Sequence, residues 1–243
     1  MKALNFGIRN TREIIRDPLN LAFGLGFPLV LLLLLSAIQA SIPVSLFEIE
    51  RLAPGITVFG LSFITLFTAT LVSRDRGTSL LRRLYTTPMR SVDFILGYTL
   101  PLLPLSLAQS AICYLAALPL GLSFTPRIFL ALLCNIPTSV LYISLGLLFG
   151  SFLTDKQVGG ICGALLTNLS AWLSGIWFDI SLVGGMFEKI AELLPFKRSV
   201  DLSIAALSGN GTEVLKSLPW VLGYTAVILV LSVFVYLRQM KKE

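Results

Sequence analysis

Six long apolar runs, at residues 21–40, 53–73, 94–118, 128–153, 158–178 and 218–237, set the terms for everything this chain can fold into. Each is long enough to cross a hydrocarbon core of roughly 30 Å as a helix. Water cannot be the main solvent for such a chain, because 55% of its residues are hydrophobic and only 13% are charged, against roughly a quarter charged in soluble domains. A mean hydropathy of +0.85 says the same. In lipid every backbone N–H and C=O must be satisfied within the segment, so the runs are read as helices. The expected fold is an all-α integral membrane domain of six spans over residues 1–243. Six crossings and their connections use most of this length, leaving no room for a folded nucleotide-hydrolysing domain. The first run lacks a small-residue cleavage site, so it is expected to be retained as a span.

Residues 1–17 form a separate, amphipathic unit. On a helical wheel Lys2, Asn5, Arg9, Arg12, Glu13 and Arg16 share one arc, while Leu4, Ile8, Ile14 and Ile15 lie opposite. Such a helix is expected to lie flat at the membrane surface with its arginines near anionic headgroups, and Pro18 ends it.

The basic residues orient the spans. With both termini inside, the cytoplasmic side holds Lys2, Arg9, Arg12, Arg16, Arg74, Arg76, Arg82, Arg83, Arg90, Lys156, Arg238, Lys241 and Lys242, thirteen of the nineteen Lys and Arg. Arg51, Arg127, Lys189, Lys197, Arg198 and Lys216 fall outside. An even number of spans returns Lys241 and Lys242 to the cytoplasm, so charge and helix count agree. The net charge of +6 therefore reflects topology, with basic residues at helix ends instead of in a nucleic-acid-binding patch. Thr154, Asp155, Lys156 and Gln157 make a tight hairpin between the fourth and fifth runs.

Residues 179–217 are too long for a turn and too apolar for a solvated loop. Leu182, Val183, Met186, Phe187, Ile190, Leu193 and Leu194 recur at helical spacing, which predicts a short helix in or dipping into the outer leaflet, ended by Pro195. A second helix is expected over residues 200–207, before Gly209, Asn210 and Gly211.

No Asp, Glu, Lys or Arg lies inside the apolar runs. Ion-coupled carriers place ionisable groups at depth, so the energy source is sought outside the bilayer. Gln39, Gln109, Asn135 and Asn168 are the strongest polar groups in the runs, and they either bond between helices or line a substrate pathway. Gly146 and Gly150 have the small-xxx-small spacing of closely packed helices. With no histidine, and with Cys113, Cys134 and Cys162 isolated in apolar runs, no metal site and no catalytic residue is expected.

The connection over residues 74–93 carries more than a linker needs. A charged start at Arg74, Asp75 and Arg76 leads through Gly77 and Thr78 to Leu80, Leu81 and Leu84 at helical spacing, interleaved with Arg82 and Arg83 and stopped by Pro88. An apolar ridge flanked by arginines on the cytoplasmic side suits a groove on a partner protein.

At these residues the chain resembles the type-2 ABC transporter permeases, the ABC-2 exporters. The resemblance rests on Arg74, Asp75, Arg76, Gly77, Thr78, Leu81, Arg83, Leu84, Thr87 and Pro88, continuing into Asp93, Leu96 and Gly97. The interfacial N-terminal helix, the six spans and the outer helices before the last span extend it over nearly the whole length. The chain departs from the commonest pattern in having Arg74 and Arg76 where glutamates often stand, and Asp179 where a proline often follows the fifth span.

The resemblance implies a half-transporter in the cell membrane. Two such subunits, identical or different, would join two copies of a separate ABC ATPase that binds ATP and Mg, and no cofactor would be held by this chain. No Gly-x-x-x-x-Gly-Lys-Ser/Thr phosphate loop occurs in it, and Leu215 breaks the nearest approach. The residues from Arg74 to Pro88 would then be the coupling helix that receives the ATPase stroke. Uncharged spans favour an amphipathic or apolar cargo such as a drug, lipid or antimicrobial peptide. The rival reading is a carrier or channel that works without ATP.

Overall fold

The computed structural model describes residues 2–43, 45–78 and 91–240. Helices α1 (Lys2–Ile15), α2 (Pro18–Leu21), α3 (Phe27–Ser41), α4 (Ile49–Gly77), α5 (Ser91–Ala117), α6 (Arg127–Phe152), α7 (Asp155–Val158), α8 (Thr167–Leu173), α9 (Ile180–Val183), α10 (Gly185–Leu193), α11 (Pro195–Ser208) and α12 (Gly211–Met240) follow one another. π-helical stretches, Ala22–Gly26 and Gly159–Leu166, lead into α3 and α8. Among the described residues there is no strand.

Five helices are long and apolar enough to cross a membrane: Ala22–Ser41, Ile49–Gly77, Val92–Ala117, Arg127–Phe152 and Gly211–Gln239. They correspond to the first four expected spans and the last. The expected crossing at residues 158–178 is absent from the five: α7, the π stretch and α8 run on without a break from Asp155 to Leu173, but Asp155, Lys156, Gln157 and Asn168 make that run less apolar than the others. This segment nevertheless runs beside α4 from one end to the other. Arg74 Nε of α4 lies 3.4 Å from Asp155 Oδ1, whereas the ring of Phe59 meets Trp177 at 6.3 Å and Ile176 fills the space beside Gly55. The stretch of α4 between Gly55 and Arg74 rises about 28 Å.

Helix α4 is the axis of the bundle. Its apolar window is 94% buried, against 22% for the windows of α3 and α12, whose free faces carry leucine, valine and phenylalanine suited to lipid. The closest seam is with α6. A Cβ added at Gly146 would lie 2.6 Å from Thr65 O, and one at Gly150 would lie 2.8 Å from Ala69 O, so the two backbones touch where glycine allows it. Thr65 Oγ1 donates across this seam to Tyr142 O at 2.7 Å. The Gly146/Gly150 spacing thus serves packing within the chain.

Several helices overrun the expected boundaries. α4 continues to Gly77, α12 begins at Gly211, and α11 begins at Pro195 instead of residue 200. Proline lacks the N–H that the first turn leaves unpaired anyway, so Pro195 both stops α10 and starts α11. Gly209, at φ +78°, then closes α11 in the left-handed conformation that only glycine adopts easily. Asp179 caps α9, its Oδ1 accepting from Ser181 N at 3.0 Å. At the hairpin, Gln157 Oε1 accepts from Thr154 N and Oγ1, both at 3.0 Å.

Candidate functional site

The charged residues sort to two ends of the bundle. At one end the C-terminal turn of α4 gathers three separate segments. Asp75 is only 3% exposed; its Oδ2 accepts from Arg9 at 2.6 Å and from the Tyr98 hydroxyl at 2.9 Å. Arg9 also reaches Asn10 Oδ1 at 2.8 Å and Glu13 at 3.0 Å. Asn10 Nδ2 in turn donates to Gly97 O at 2.9 Å. This latch pins α1 to α4 and α5. Phe6 deepens it by packing edge-to-face on Tyr98 and Phe94, at 5.0 and 5.7 Å, over Gly97, where any Cβ would overlap its ring.

Arg74 and Arg76 bind the remaining neighbours. Arg74 pairs with Asp17 at 3.3 Å and with Asp155 at 3.4 Å, and Arg76 donates to Leu153 O at 3.0 Å. Thr78 Oγ1 donates to Asp75 O at 3.0 Å, while Gly77 stands in open space. Of the expected docking residues, then, Asp75 is turned inward because a carboxylate beside lipid needs its cation. Arg74 keeps half its side chain exposed. Leu80, Leu81, Arg82, Arg83, Leu84 and Pro88 lie outside the described residues. The reach from Arg9 to Asp75 has no signature in local spacing; the only sequence signal was a lone acid inside an arginine-rich helix end.

The four amides part ways. Gln39 Oε1 accepts from Phe47 N at 2.6 Å and steadies the turn after α3. Asn135 Oδ1 accepts from Ser203 Oγ of α11 at 2.6 Å, an interhelical bond. Gln109 Nε2 makes only long contacts of 3.5 Å to Thr57 O and Cys113 Sγ. Asn168 is exposed and donates to Ala164 O of its own helix at 2.8 Å. Asn168 borders a wide cleft.

That cleft, of about 580 Å³, lies between α3, α4 and α8. Phe23, Phe27, Phe59, Phe63, Trp172 and Trp177 line it, with Thr167 and Asn168 as its polar edge. The rings meet edgewise, Phe27 on Phe63 at 5.4 Å and Phe63 on Phe59 at 5.8 Å. An aromatic wall with a few hydrogen-bonding groups suits a large apolar or amphipathic molecule. These aromatics come from three distant stretches of sequence; the i,i+4 pairs Phe23/Phe27 and Phe59/Phe63 each mark one helix face, but nothing in the sequence joins the two faces to Trp172 and Trp177.

At the opposite end a cleft of about 310 Å³ is lined by Arg51, Trp177, Asp179, Lys197 and Asp201 among others. Burial pushes the Asp201 carboxyl above the usual carboxylate range, against the pull of Lys197 and Arg198. A carboxyl raised in the fold binds its proton more tightly there than in the unfolded chain. It therefore costs stability at neutral pH, and the cost fades as pH falls through the raised value. Asp201→Asn is expected to stabilise the protein at pH 7, with a gain that shrinks on acidification, as read from thermal unfolding in micelles across pH.

A family model described as ABC-2 type transporter matches residues 6–207, which takes in the latch, the aromatic cleft and α11. No curated protein matches the chain.

Proposed function

The chain belongs to the ABC-2 type transporter family, and from that premise we propose that it is the permease of an ATP-driven exporter whose motor docks on the latch end of the bundle. It is a multi-pass membrane protein and a transport subunit, not itself catalytic. ATP and Mg are held by a separate ABC ATPase, present in two copies. The observation that carries this reading is the latch. Asp75 is clamped to α1 four residues before the chain enters residues 79–90, so a push on that segment is delivered to α1 and, along α4, to the aromatic cleft.

The latch end also holds Arg9, Arg12, Arg16, Arg74 and Arg76. Their weight supports placing it in the cytoplasm of the cell membrane, with both termini on that side. The antiparallel course of α7 to α8 beside α4 supports a sixth crossing at residues 158–178, and with it the single domain over 1–243. The cleft is where a drug, lipid or antimicrobial peptide would be taken up for outward movement.

A second permease subunit, identical or different, would cover the free face of the crossing at residues 158–178. Gly159 and Gly160 stand there in open space, with nothing within 4 Å of a Cβ built at either. Small residues are what membrane helices use to meet closely.

Charge reversal tests the docking site. The double substitution Arg82→Glu and Arg83→Glu is expected to cut ATPase copurification by about tenfold or more, as placing like charges at a matched interface does, and to free the remaining hydrolysis from transport. An ATPase that still associates and couples normally would refute docking there.

A further inference from the structure

Away from the latch, α4, α5, α6 and α11 meet at a buried polar junction. By helix rise, Thr57, Gln109 and Asn135 each lie about 12 Å in from the far ends of α4, α5 and α6. Thr57, Gln109, Asn135 and Ser203 are fully buried, and Tyr114 is 1% exposed. They form a continuous chain of neighbours: Gln109 beside Thr57, Thr57 beside Tyr114, Tyr114 beside Ser203, and Ser203 bonded to Asn135.

The polar atoms here outnumber their partners. Among the described residues Gln109 Oε1, Asn135 Nδ2, Thr138 Oγ1 and Ser139 Oγ have no hydrogen bond, and the Tyr114 hydroxyl reaches bonding geometry with neither neighbour. Turning the amides over does not remove the deficit. A flipped Asn135 would bond Ser203 through Nδ2 and strand its oxygen, and a flipped Gln109 would set its oxygen against Thr57 O. The packing keeps room for the amide, because a Cβ at Gly60 would overlap Gln109 Nε2 and lie 3.0 Å from Pro28 Cγ. Buried groups of this kind are normally satisfied, all the more in a bilayer, where no bulk water reaches them.

The stranded atoms include an amide acceptor, an amide donor and hydroxyls, all neutral. A cation would meet the Asn135 N–H group, and an anion would meet Gln109 Oε1; water can donate to one and accept from the other. We propose that this junction is a buried water-binding site that joins α11 to α4, α5 and α6 through Gln109, Tyr114 and Asn135. Water bonds can be remade as α11 shifts, so this end of the bundle can move without stranding its polar groups.

The site is tested on the full chain in lipid nanodiscs by radiolytic hydroxyl labelling, in which a bound internal water generates the radical beside its neighbours. Tyr142 is the internal reference, since it is just as buried but its hydroxyl is paired with Ser170 Oγ at 2.7 Å. Tyr114 is expected to take up oxygen roughly tenfold faster than Tyr142, as a side chain touching ordered water should. In the double variant Gln109→Leu, Asn135→Leu, the Tyr114 rate should fall to that of Tyr142. Equal labelling of the two tyrosines in the unsubstituted protein, which requires no variant to fold, would overturn the proposal. So would a double variant that folds and labels Tyr114 as fast as before.

Discussion

Asp75→Ala is expected to destabilise the protein by roughly 3 kcal/mol, toward the lower end of what breaking one side of a buried ion pair costs, because Arg9 remains a third exposed. The substitution strands three groups together. Arg9 loses its buried carboxylate and is left with the exposed Glu13, the Tyr98 hydroxyl loses its acceptor within the protein core, and α1 is held by Phe6, Asn10 and Ile14 without the ion pair. Chemical unfolding in mixed micelles measures the loss. Asp75→Asn keeps an oxygen for Tyr98 and should lose less. Replacing Arg9 and Asp75 together by leucine should cost less than the two single changes added, because neither charge is then left alone. If the two costs simply add, the ion pair does not hold the latch.

Gly146→Val is expected to cost more than about 3 kcal/mol, beyond ordinary overpacking. The added Cβ meets a backbone oxygen, Thr65 O, and no rotamer change can move it. To admit a side chain, α4 and α6 must part along the seam. That sacrifices the Thr65–Tyr142 bond and the close contact at Gly150 as well. Loss of monodisperse protein on gel filtration, or a collapse of the unfolding midpoint, reports it. Gly160→Leu is the matching control. Nothing stands within 4 Å of a Cβ at Gly160, so the fold of the single chain should tolerate it within about 0.5 kcal/mol. Any effect of Gly160→Leu should appear in subunit association.

These two expectations differ in how far the sequence alone leads to them. The Gly146/Gly150 pair is written in the spacing of one helix, and so are five of the six apolar runs, the ends set by Pro18, Pro195 and Gly209, and the basic character of one side. The latch joins residues 66 positions apart, and nothing near Asp75 reveals Arg9. Asp75 reads as part of an exposed charged loop because a helix was expected to stop at the membrane edge. α4 instead runs on to Gly77, since its terminal charges find partners in Asp17, Arg9 and Asp155. The residues at 158–178 read as an ordinary span because their composition is apolar, and that composition does not announce the π-helical turn over Gly159–Leu166 or the helix end at Leu173. The aromatic cleft is assembled from α3, α4 and α8 and their flanks, so it exists only once those three pack.

The central claim is that work enters this chain through the segment just beyond the latch. Photo-cross-linking in native membranes, from a reactive residue placed at Leu81 and, separately, at Lys189 on the opposite end, tests it most directly. The account predicts that Leu81 captures a nucleotide-binding polypeptide, released by Arg82→Glu with Arg83→Glu, and that Lys189 captures none. Capture of the nucleotide-binding polypeptide from Lys189, or its absence at Leu81 in membranes that transport, would contradict it.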